Sequence, residues 1–415
     1  MASTDARLEP LSDVVLPAAR LRIFGLNVGH FYTHYFMLIY PTVVLSLEAE
    51  LGLAYGDLLM PSTVGFATYA LGAYPAGWLG DRWSRRAMMI LMFIGLALGC
   101  FVTSAFSSLW GIALGLGLIG SFAAIYHPVG IAMLVEEARP VGRALGINGV
   151  WGNLGVAAAP IVTAAITAAF GWRWAFLLPG FVALATGIAF ALLPPPTRAE
   201  QAERDAAGGK LEVEASARDR MRVVIYVGLG VMLYGLIFSV TTVTLPKLVD
   251  EQVGPVLTGA WAGVIGAAGL ASLIFVFGAF AQILVGNLLD RYPTRPIAVI
   301  VALLMAPFLA MAAWFAGWFA LPPIMLMMLL VFGMIPIKDS LIARYTTKAV
   351  RARIYAISYL LGSLVSVATV PLIAALHDTS GNFLSLYLLL ALLAVSTAAA
   401  ALILPRPPGR AAAQT

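Results

Sequence analysis

Long apolar stretches recur along this chain, and short polar turns separate them. Because about 20 mainly apolar residues span the hydrocarbon core of a bilayer, windows of that length predict twelve membrane helices. The first six cover roughly 22–46, 57–80, 87–106, 109–135, 143–170 and 173–194. The second six cover roughly 222–246, 258–289, 296–318, 322–346, 352–376 and 383–404. The pattern therefore predicts an all-α membrane protein of twelve transmembrane helices.

A polar segment, residues 195–221, lies between the two sets of helices. It is mixed in charge and free of aromatic side chains, which is typical of a linker exposed to water. We therefore expect three parts: a six-helix bundle over 1–194, a cytoplasmic linker over 195–221, and a second six-helix bundle over 222–415.

Two polar turns, one in each half of the chain, share an order of residue types. The first begins at Gly77 and the second at Gly286, and each has Gly, Leu, Asp, Arg and a final Arg in the same register. A duplicated polar turn that closes a duplicated apolar segment is typical of a transporter built from two repeats. Glycine permits close helix contact, and an aspartate can meet a helix N-terminus or an arginine of the opposite half. We interpret the turns as a latch between the halves, formed by Gly77, Asp81, Arg82, Arg86, Gly286, Asp290, Arg291 and Arg295.

The alternative is that both turns are ordinary basic turns that only set topology, but their shared order of residues disfavours it. The first copy is nearly complete, whereas the second has Pro293 and Thr294 in place of matching residues. We therefore expect Asp81 and Arg82 to contribute more to the conformational cycle than the corresponding pair of the second copy.

Composition and charge support membrane residence. Hydrophobic residues make up 61% of the chain and charged residues 11%, against about 25% charged residues in soluble proteins. The net charge of +5 is spread too thinly to indicate a nucleic-acid partner. If both termini are cytoplasmic, 22 of the 25 Lys and Arg residues fall on the cytoplasmic side, which is the bias expected of a membrane protein. We therefore expect a multi-pass protein of the inner (plasma) membrane with both termini in the cytoplasm.

The termini and the cysteine count exclude further classes. The first 20 residues hold three acidic residues and no apolar core, so they do not predict a cleavable signal peptide. Cys100 is the only cysteine, which excludes an intramolecular disulfide and disfavours a thiolate metal cluster.

We single out six polar residues inside the predicted membrane helices. A charge in the membrane interior costs a few kcal/mol, so each is a candidate for binding substrate or protons. One group shares a face of the first helix, because its members are three or four residues apart. At about 1.5 Å per residue, most of the six lie roughly 10–17 Å from the ends predicted to be cytoplasmic, which predicts one polar cluster beside a central cavity. The candidates are Asn27, His30, His34, His127, Lys338 and Asp339.

Each of these candidates has a plainer interpretation. His30 or His127 can be a neutral histidine that only supports helix packing. Lys338 and Asp339 can be a local pair that neutralises itself, although neighbouring residues of a helix point about 100° apart and face each other poorly. His30 and His34 also have the spacing of metal ligands, but no carboxylate shares their face of the helix, and we assign no metal site.

The fifth predicted helix carries a run of glycines that ends in a proline. Such a sequence makes a thin, bendable helix, which can pack closely against a moving neighbour or simply against a static one. The residues of this helix-packing motif are Gly152, Asn153, Gly155 and Pro160.

The first polar turn resembles the signature of the major facilitator superfamily between helices 2 and 3. It matches at Gly77, Leu79, Asp81, Arg82, Arg85 and Arg86 and departs at Ser84, where the family prefers Gly. The resemblance covers the whole chain and implies the major facilitator fold of two six-helix repeats, with helices 1, 4, 7 and 10 lining the cavity.

Two further stretches resemble the fosmidomycin-resistance-like branch of that superfamily. One runs from His30 to His34, and the other joins the Tyr126-His127-Pro128 segment to the Gly-Asn-Leu-Gly run that begins at Gly152. Position 34 departs from the branch, which has Asp there. Histidine titrates near neutral pH and aspartate does not, so the mode of proton coupling is expected to differ.

The predicted function is secondary active transport by alternating access. We favour proton-coupled export of a small anionic or amphiphilic compound, with His34, His127 and Asp339 as candidate proton sites and Lys338 as the counter-charge. The expected partners are the substrate, protons and the lipid bilayer, for a functional monomer without a cofactor. The alternative is an importer (symporter) of a small organic anion or a transition-metal ion. A membrane-embedded enzyme is disfavoured because no catalytic constellation appears, and a sensor because no polar segment is long enough for an extra soluble domain. The lack of a phosphate-binding loop disfavours ATP as the direct energy source.

Overall fold

The computed structural model describes residues 17–138, 141–196, 216–259, 262–345 and 348–405, and these form an all-helical protein. The first half contains α1 (Pro17–Leu51), α2 (Pro61–Arg82), α3 (Arg85–Ala105), α4 (Leu109–Glu137), α5 (Val141–Phe170) and α6 (Trp174–Leu192). The second half contains α7 (Ala217–Gln252), α8 (Val264–Arg291), α9 (Thr294–Trp314), α10 (Leu321–Tyr345), α11 (Lys348–Val367, continued by Thr369–Ser380) and α12 (Leu384–Ala401). A short helix, Tyr55–Leu59, connects α1 to α2.

Ten of these described helices are long and apolar enough to cross a membrane. The first two helices carry more polar residues, yet they pack lengthwise against α5, α4 and α11 as membrane helices do. The twelve-helix prediction is therefore confirmed. Helix α7 begins at Ala217, inside the range predicted for the linker, because a serine cap at Ser216 starts the helix before the apolar run does.

Within each half, short connections join successive helices, so the chain alternates between two ends of the bundle. We call the linker end the one with residues 82–85, 192–196, 216–217 and 291–294. The opposite end, with residues 51–61, 252–259, 262–264 and 380–384, is called the far end. Buried apolar side chains of both halves form one contiguous core, and α1 packs chiefly along α5.

Glycines of α5 allow its close approach to α1. A Cβ atom added at Gly155 would lie 2.2 Å from the carbonyl oxygen of Phe31, and one added at Gly152 would lie 2.7 Å from the ring of His30. Real Cβ atoms do not come so close, so these positions require glycine while the two helices are packed. These two glycines of the predicted helix-packing motif thus face α1.

A charged network joins the two halves at the far end. Lys247 of α7 contacts Glu48 of α1 at 2.7 Å and Glu251 of its own helix at 3.5 Å. Glu251 also contacts the His377 ring at 2.8 Å. The backbone N–H of Gly56 donates to Asp378 across the halves at 3.0 Å. We call Glu48, Lys247, Glu251, His377 and Asp378 the far-end network.

Further contacts between the halves continue from the far end toward the middle. The backbone N–H of Ile161 in α5 donates to the Ser272 hydroxyl of α8 at 3.1 Å. Ile161 follows Pro160, and a proline both lacks an N–H and distorts the helix around it. The Tyr69 and Tyr359 hydroxyls lie 3.4 Å apart, on α2 and α11. These contacts hold the halves together from the far end to mid-depth.

The close approach of α1 and α5 gives a first prediction, on stability. Replacing Gly155 with Ala places a methyl group against the Phe31 carbonyl, so we expect a loss of about 1–3 kcal/mol from overpacking. Gly149→Ala is the matched control on the same helix, because a Cβ there meets open space. Thermal unfolding of the purified protein should rank Gly155→Ala below Gly149→Ala. Equal unfolding temperatures would contradict the tight contact.

A second prediction concerns the far-end network. Glu48→Gln removes the negative charge that Lys247 contacts across the halves, so we expect the far end to open more often. Spin labels at Leu53 and Phe319, which are exposed on opposite halves at that end, should then show longer distances by pulsed electron resonance. Cys100→Ser supplies the cysteine-free background.

The matched control for this second prediction is Glu50→Gln, the same change at an exposed position of the same helix end. Its distance distribution should equal that of the parent protein. Identical distributions for Glu48→Gln and the parent would show that the charge does not hold the far end closed.

Candidate functional site

The site is built outward from His30, which lies on α1 against α5. Its Nδ1 lies 2.7 Å from the backbone carbonyl oxygen of Asn148. A carbonyl oxygen only accepts hydrogen bonds, so Nδ1 donates and Nε2 keeps its lone pair. The Tyr126 ring stacks on the His30 ring, with centroids 4.9 Å apart and planes 11° from parallel. The His30 side chain is therefore fixed in both position and tautomer.

His34 lies one helical turn along α1, on the same face as His30. The two Nε2 atoms are 3.2 Å apart. Since Nε2 of His30 carries the lone pair, a hydrogen bond between the two rings requires that Nε2 of His34 donates it. The spacing predicted from the sequence thus brings the two rings together.

His127 approaches the same point from α4. It lies in a single π-helical turn, Tyr126–Gly130, that contains Pro128, and such turns occur often at functional sites. Its ring lies 5.2 Å from the His30 ring and 5.6 Å from the His34 ring, measured between centroids. Both of its ring nitrogens are buried and have no hydrogen-bond partner in the described part of the chain. One ligand atom from each of the three histidines lies within 4.8 Å of the others.

The second half of the protein closes over His127. The Tyr359 ring of α11 lies 4.1 Å from the His127 ring, between centroids. The three histidines therefore belong to the first half but lie where the halves meet.

A buried hydrogen-bond network supports the histidines from the linker side. The side-chain amide of Asn148 donates to the Asn27 oxygen at 2.9 Å and to the Tyr126 hydroxyl at 2.7 Å. Asn27 was predicted as a site residue, whereas Asn148 was not. The sequence signal for Asn148 was an amide side chain in an apolar helix, one turn before Gly152. Because Gly152 packs tightly against α1, a residue one turn before it faces α1 as well.

Lys338 and Asp339 of α10 form an ion pair, with 3.7 Å between Nζ and Oδ1. The local pair that helix geometry disfavours is thus present, because the long lysine stem bends back to its neighbour. Both side chains are partly exposed. Lys338 lies within electrostatic range of His127, and Asp339 within range of Tyr234 and Tyr359. The pair is therefore close enough to the histidine region to interact with it electrostatically.

Gly152, Asn153, Gly155 and Pro160 were predicted as one packing motif, and their surroundings differ. Gly152 is buried against the His30 ring and Gly155 against the α1 backbone. Asn153 is half-buried, and Pro160 is buried next to the N–H that reaches Ser272. The motif positions His30 as well as the helices.

At the linker end, the predicted latch residues contact their own halves in this structure. Asp81 pairs with Arg85 at 2.7 Å, and Arg85 also contacts Glu136. Asp290 pairs with Arg344 at 3.7 Å. The hydrogen-bond and cation–π contacts of the remaining arginines of the first copy are also local: Arg82 lies over the Trp78 ring, and Arg86 donates to the carbonyls of Ala191 and Leu193.

The other latch residues surround these pairs. A Cβ added at Gly77 would meet Pro128 of the same half, and one at Gly286 would meet open space. Arg291 is exposed and Arg295 half-buried. Among the residues that the structure describes, the two copies therefore do not join the halves in the conformation seen here.

Sequence reasoning missed the far-end network as a functional element. Its charges lie at helix ends, where polar residues are expected, so the sequence gives little signal. The one available signal was that Lys247 is among the few basic residues on the side predicted to be non-cytoplasmic.

Solved structures share this fold across nearly the whole chain. A POT family transporter crystallised with 5-aminolevulinic acid matches with a TM-score of 0.73 at 14% identity, over 94% of this chain and 97% of that one. The xylose transporter XylE from E. coli, in an inward open conformation, matches with a TM-score of 0.72 at 15% identity, over 94% and 98%. At these identities the likeness shows the fold alone.

Curated relatives match shorter segments. The Multidrug resistance protein B homolog of Mycobacterium tuberculosis is 28% identical over 31% of this chain and 24% of its own length. The Putative glycerol-3-phosphate transporter 1 of Arabidopsis thaliana is 31% identical over 34% of this chain and 28% of its own length. The chain thus spans only about a quarter of the length of these relatives.

The family profile described as Major Facilitator Superfamily matches residues 27–335 and, in a second overlapping match, residues 227–415. The two matches together cover all but the first 26 residues, and they include both polar turns and every site residue placed above. The chain therefore belongs to the Major Facilitator Superfamily.

Proposed function

We propose that this chain is a secondary active transporter that moves a small anionic compound by alternating access, coupled to protons, rather than an enzyme. The family and the full-length fold support transport. The observation that carries the proposal is the Lys338–Asp339 ion pair, which lies within electrostatic range of residues where the two halves meet. The name of the relative from Arabidopsis thaliana also supports an organic anion as substrate.

The orientation of the molecule follows from its basic residues. We place the linker end in the cytoplasm of a cell bounded by the inner (plasma) membrane, since the positive turns lie there. With the far-end network formed, the protein then faces inward. The latch of Asp81, Arg82, Asp290 and Arg291 engages in the opposite, outward-facing conformation, when the linker ends of the two halves approach.

The ion pair couples an anion to a proton. While Lys338 and Asp339 neutralise each other, the site attracts neither the anion nor the proton strongly. An anionic group that binds the Lys338 ammonium weakens the attraction of Lys338 for Asp339, and a carboxylate that loses nearby positive charge binds a proton more readily. Tyr234 and Tyr359 lie within electrostatic range of Asp339, and His127 lies within electrostatic range of Lys338. Anion and proton therefore bind together.

Binding together has a consequence for direction. Export by proton antiport, favoured by the sequence and supported by the name of the relative from Mycobacterium tuberculosis, requires anion and proton to exclude each other. The ion pair instead supports the alternative, symport of an organic anion with a proton. We propose symport as the mode that the geometry supports best.

Proton flow through liposomes that contain the purified protein tests this proposal without a labelled substrate. A pH-sensitive dye is enclosed, and organic phosphates, phosphonates and carboxylates are added outside one at a time. Symport carries protons inward with the anion and acidifies the interior, whereas antiport makes the interior alkaline. Acidification by at least one anion is the expected result. Alkalinisation would overturn symport in favour of export, and no proton flow with any anion would overturn proton coupling.

Two variants and a control make the test specific. Asp339→Asn mimics the protonated acid, so we expect binding of the anion without proton flow. Lys338→Met should lose both binding and flow. Asp57→Asn makes the same change as the first variant at an exposed far-end position and should retain the flow of the parent. Normal proton flow in Asp339→Asn would remove Asp339 from the coupling step.

A further inference from the structure

The cluster of His30, His34 and His127 has no role in the ion-pair mechanism, yet its geometry is specific. Three imidazole rings converge from two helices, and one nitrogen of each lies within 4.8 Å of the others. These are three of the four histidines in the chain. We propose that they form a binding site for one divalent transition-metal ion, of which zinc is the representative.

The distance between the first two ligands fits such an ion. Zinc lies about 2.0–2.1 Å from histidine nitrogens in a tetrahedral site, which separates two such nitrogens by about 3.3 Å. The Nε2 atoms of His30 and His34 are 3.2 Å apart. A movement of the His127 ring by on the order of an ångström completes a three-nitrogen set at zinc distances.

The surroundings of His30 are those of a metal ligand. Histidines that bind metals usually donate their second ring N–H to a carbonyl or carboxylate, which fixes the tautomer. The Nδ1 of His30 makes this contact with the Asn148 carbonyl at 2.7 Å. Tyr126 stacks on one face of the ring, and Gly152 lies so close that a Cβ would collide with it. The lone pair of Nε2 is thereby aimed at His34.

His127 supplies the second argument. Both of its ring nitrogens are buried without a hydrogen-bond partner among the described residues. A buried polar group left unsatisfied costs about 1–3 kcal/mol, so such groups in proteins call for an explanation. A metal ion shared with the other two rings satisfies one of these nitrogens.

The chemistry of the ligands selects the metal. Imidazole nitrogens suit zinc, copper, nickel and cobalt, whereas calcium and magnesium require oxygen ligands. Three neutral imidazoles leave the two positive charges of the ion uncompensated and a fourth coordination position open. The fourth ligand is then expected to be an anion. A small anion is also the class of compound proposed as substrate, but the metal site is inferred without it and is tested separately.

The test measures metal binding by the purified full-length protein, carried on an affinity tag that contains no histidine. Zinc is titrated in competition with a coloured chelator, and cobalt is added in a parallel experiment because tetrahedral cobalt absorbs strongly in the visible range. We expect one ion per chain and a tetrahedral cobalt spectrum. No binding at micromolar metal, or an octahedral spectrum from ions held elsewhere, would overturn the proposal.

Variants assign the ligands. His127→Phe keeps an aromatic ring against Tyr359 and breaks no described hydrogen bond, and His34→Gln removes the second ligand. Since loss of a supporting contact alone costs about 10–100-fold in metal affinity, each ligand variant should lose at least about a hundredfold. His377→Gln, at the fourth histidine, is the control and should bind as the parent does. Unchanged affinity in the folded His127→Phe protein would overturn the assignment.

Folding and transport are followed in the same samples. Thermal unfolding without metal shows whether each variant is folded, and His127→Asn replaces His127→Phe where the latter is not. The liposome proton assay is repeated with a chelator present. Proton flow that survives the chelator with no metal binding would overturn the metal site alone, and metal binding without proton flow would overturn only the proposed coupling.

Discussion

The rest of this structure depends on the fact that a polar group within the membrane must find its partner inside the protein. The hydrogen bond from His30 to the Asn148 carbonyl meets that requirement between α1 and α5. It forms only because Gly152 and Gly155 allow the two helices to touch. The stack with Tyr126, the amide network of Asn27 and the approach of His34 all follow from that contact. The close packing of α1 and α5 therefore also determines where the polar side chains of this site lie.

The parts of the protein whose apolar and polar residues recur at a regular spacing could be predicted from the sequence. Twelve apolar windows and two matching polar turns predict the helix count and the repeat, because the thickness of a bilayer and the cost of charge inside it leave few alternatives. The shared face of His30 and His34 follows in the same way from the helical period. Helix ends such as Ala217 are less certain, since caps and not apolar runs decide where a helix begins.

Contacts between distant helices could not be predicted in this way. Tyr359 is one of 14 tyrosines, and nothing local distinguishes it as the residue that covers His127. Asn148 acts partly through its backbone carbonyl, which every residue possesses. The Lys338–Asp339 pair shows the opposite limit: the angle between adjacent helical residues is correct, but a lysine side chain is long and flexible enough to overcome it. Side-chain length thus weakens arguments that rest on backbone direction alone.

The far-end network has a consequence for the energy of the two conformations. Its groups lie at helix ends, where the carboxylates stay partly accessible to water and Lys247 and His377 are buried. The cost of removing such charges from water offsets much of their mutual attraction, so the net gain from each ion pair is small. Water can replace the partners that these groups lose when the halves separate. The closed state is therefore favoured by a small margin. A protein that must return to both states in every cycle requires such near-equality, because a deep minimum on either side would trap it there.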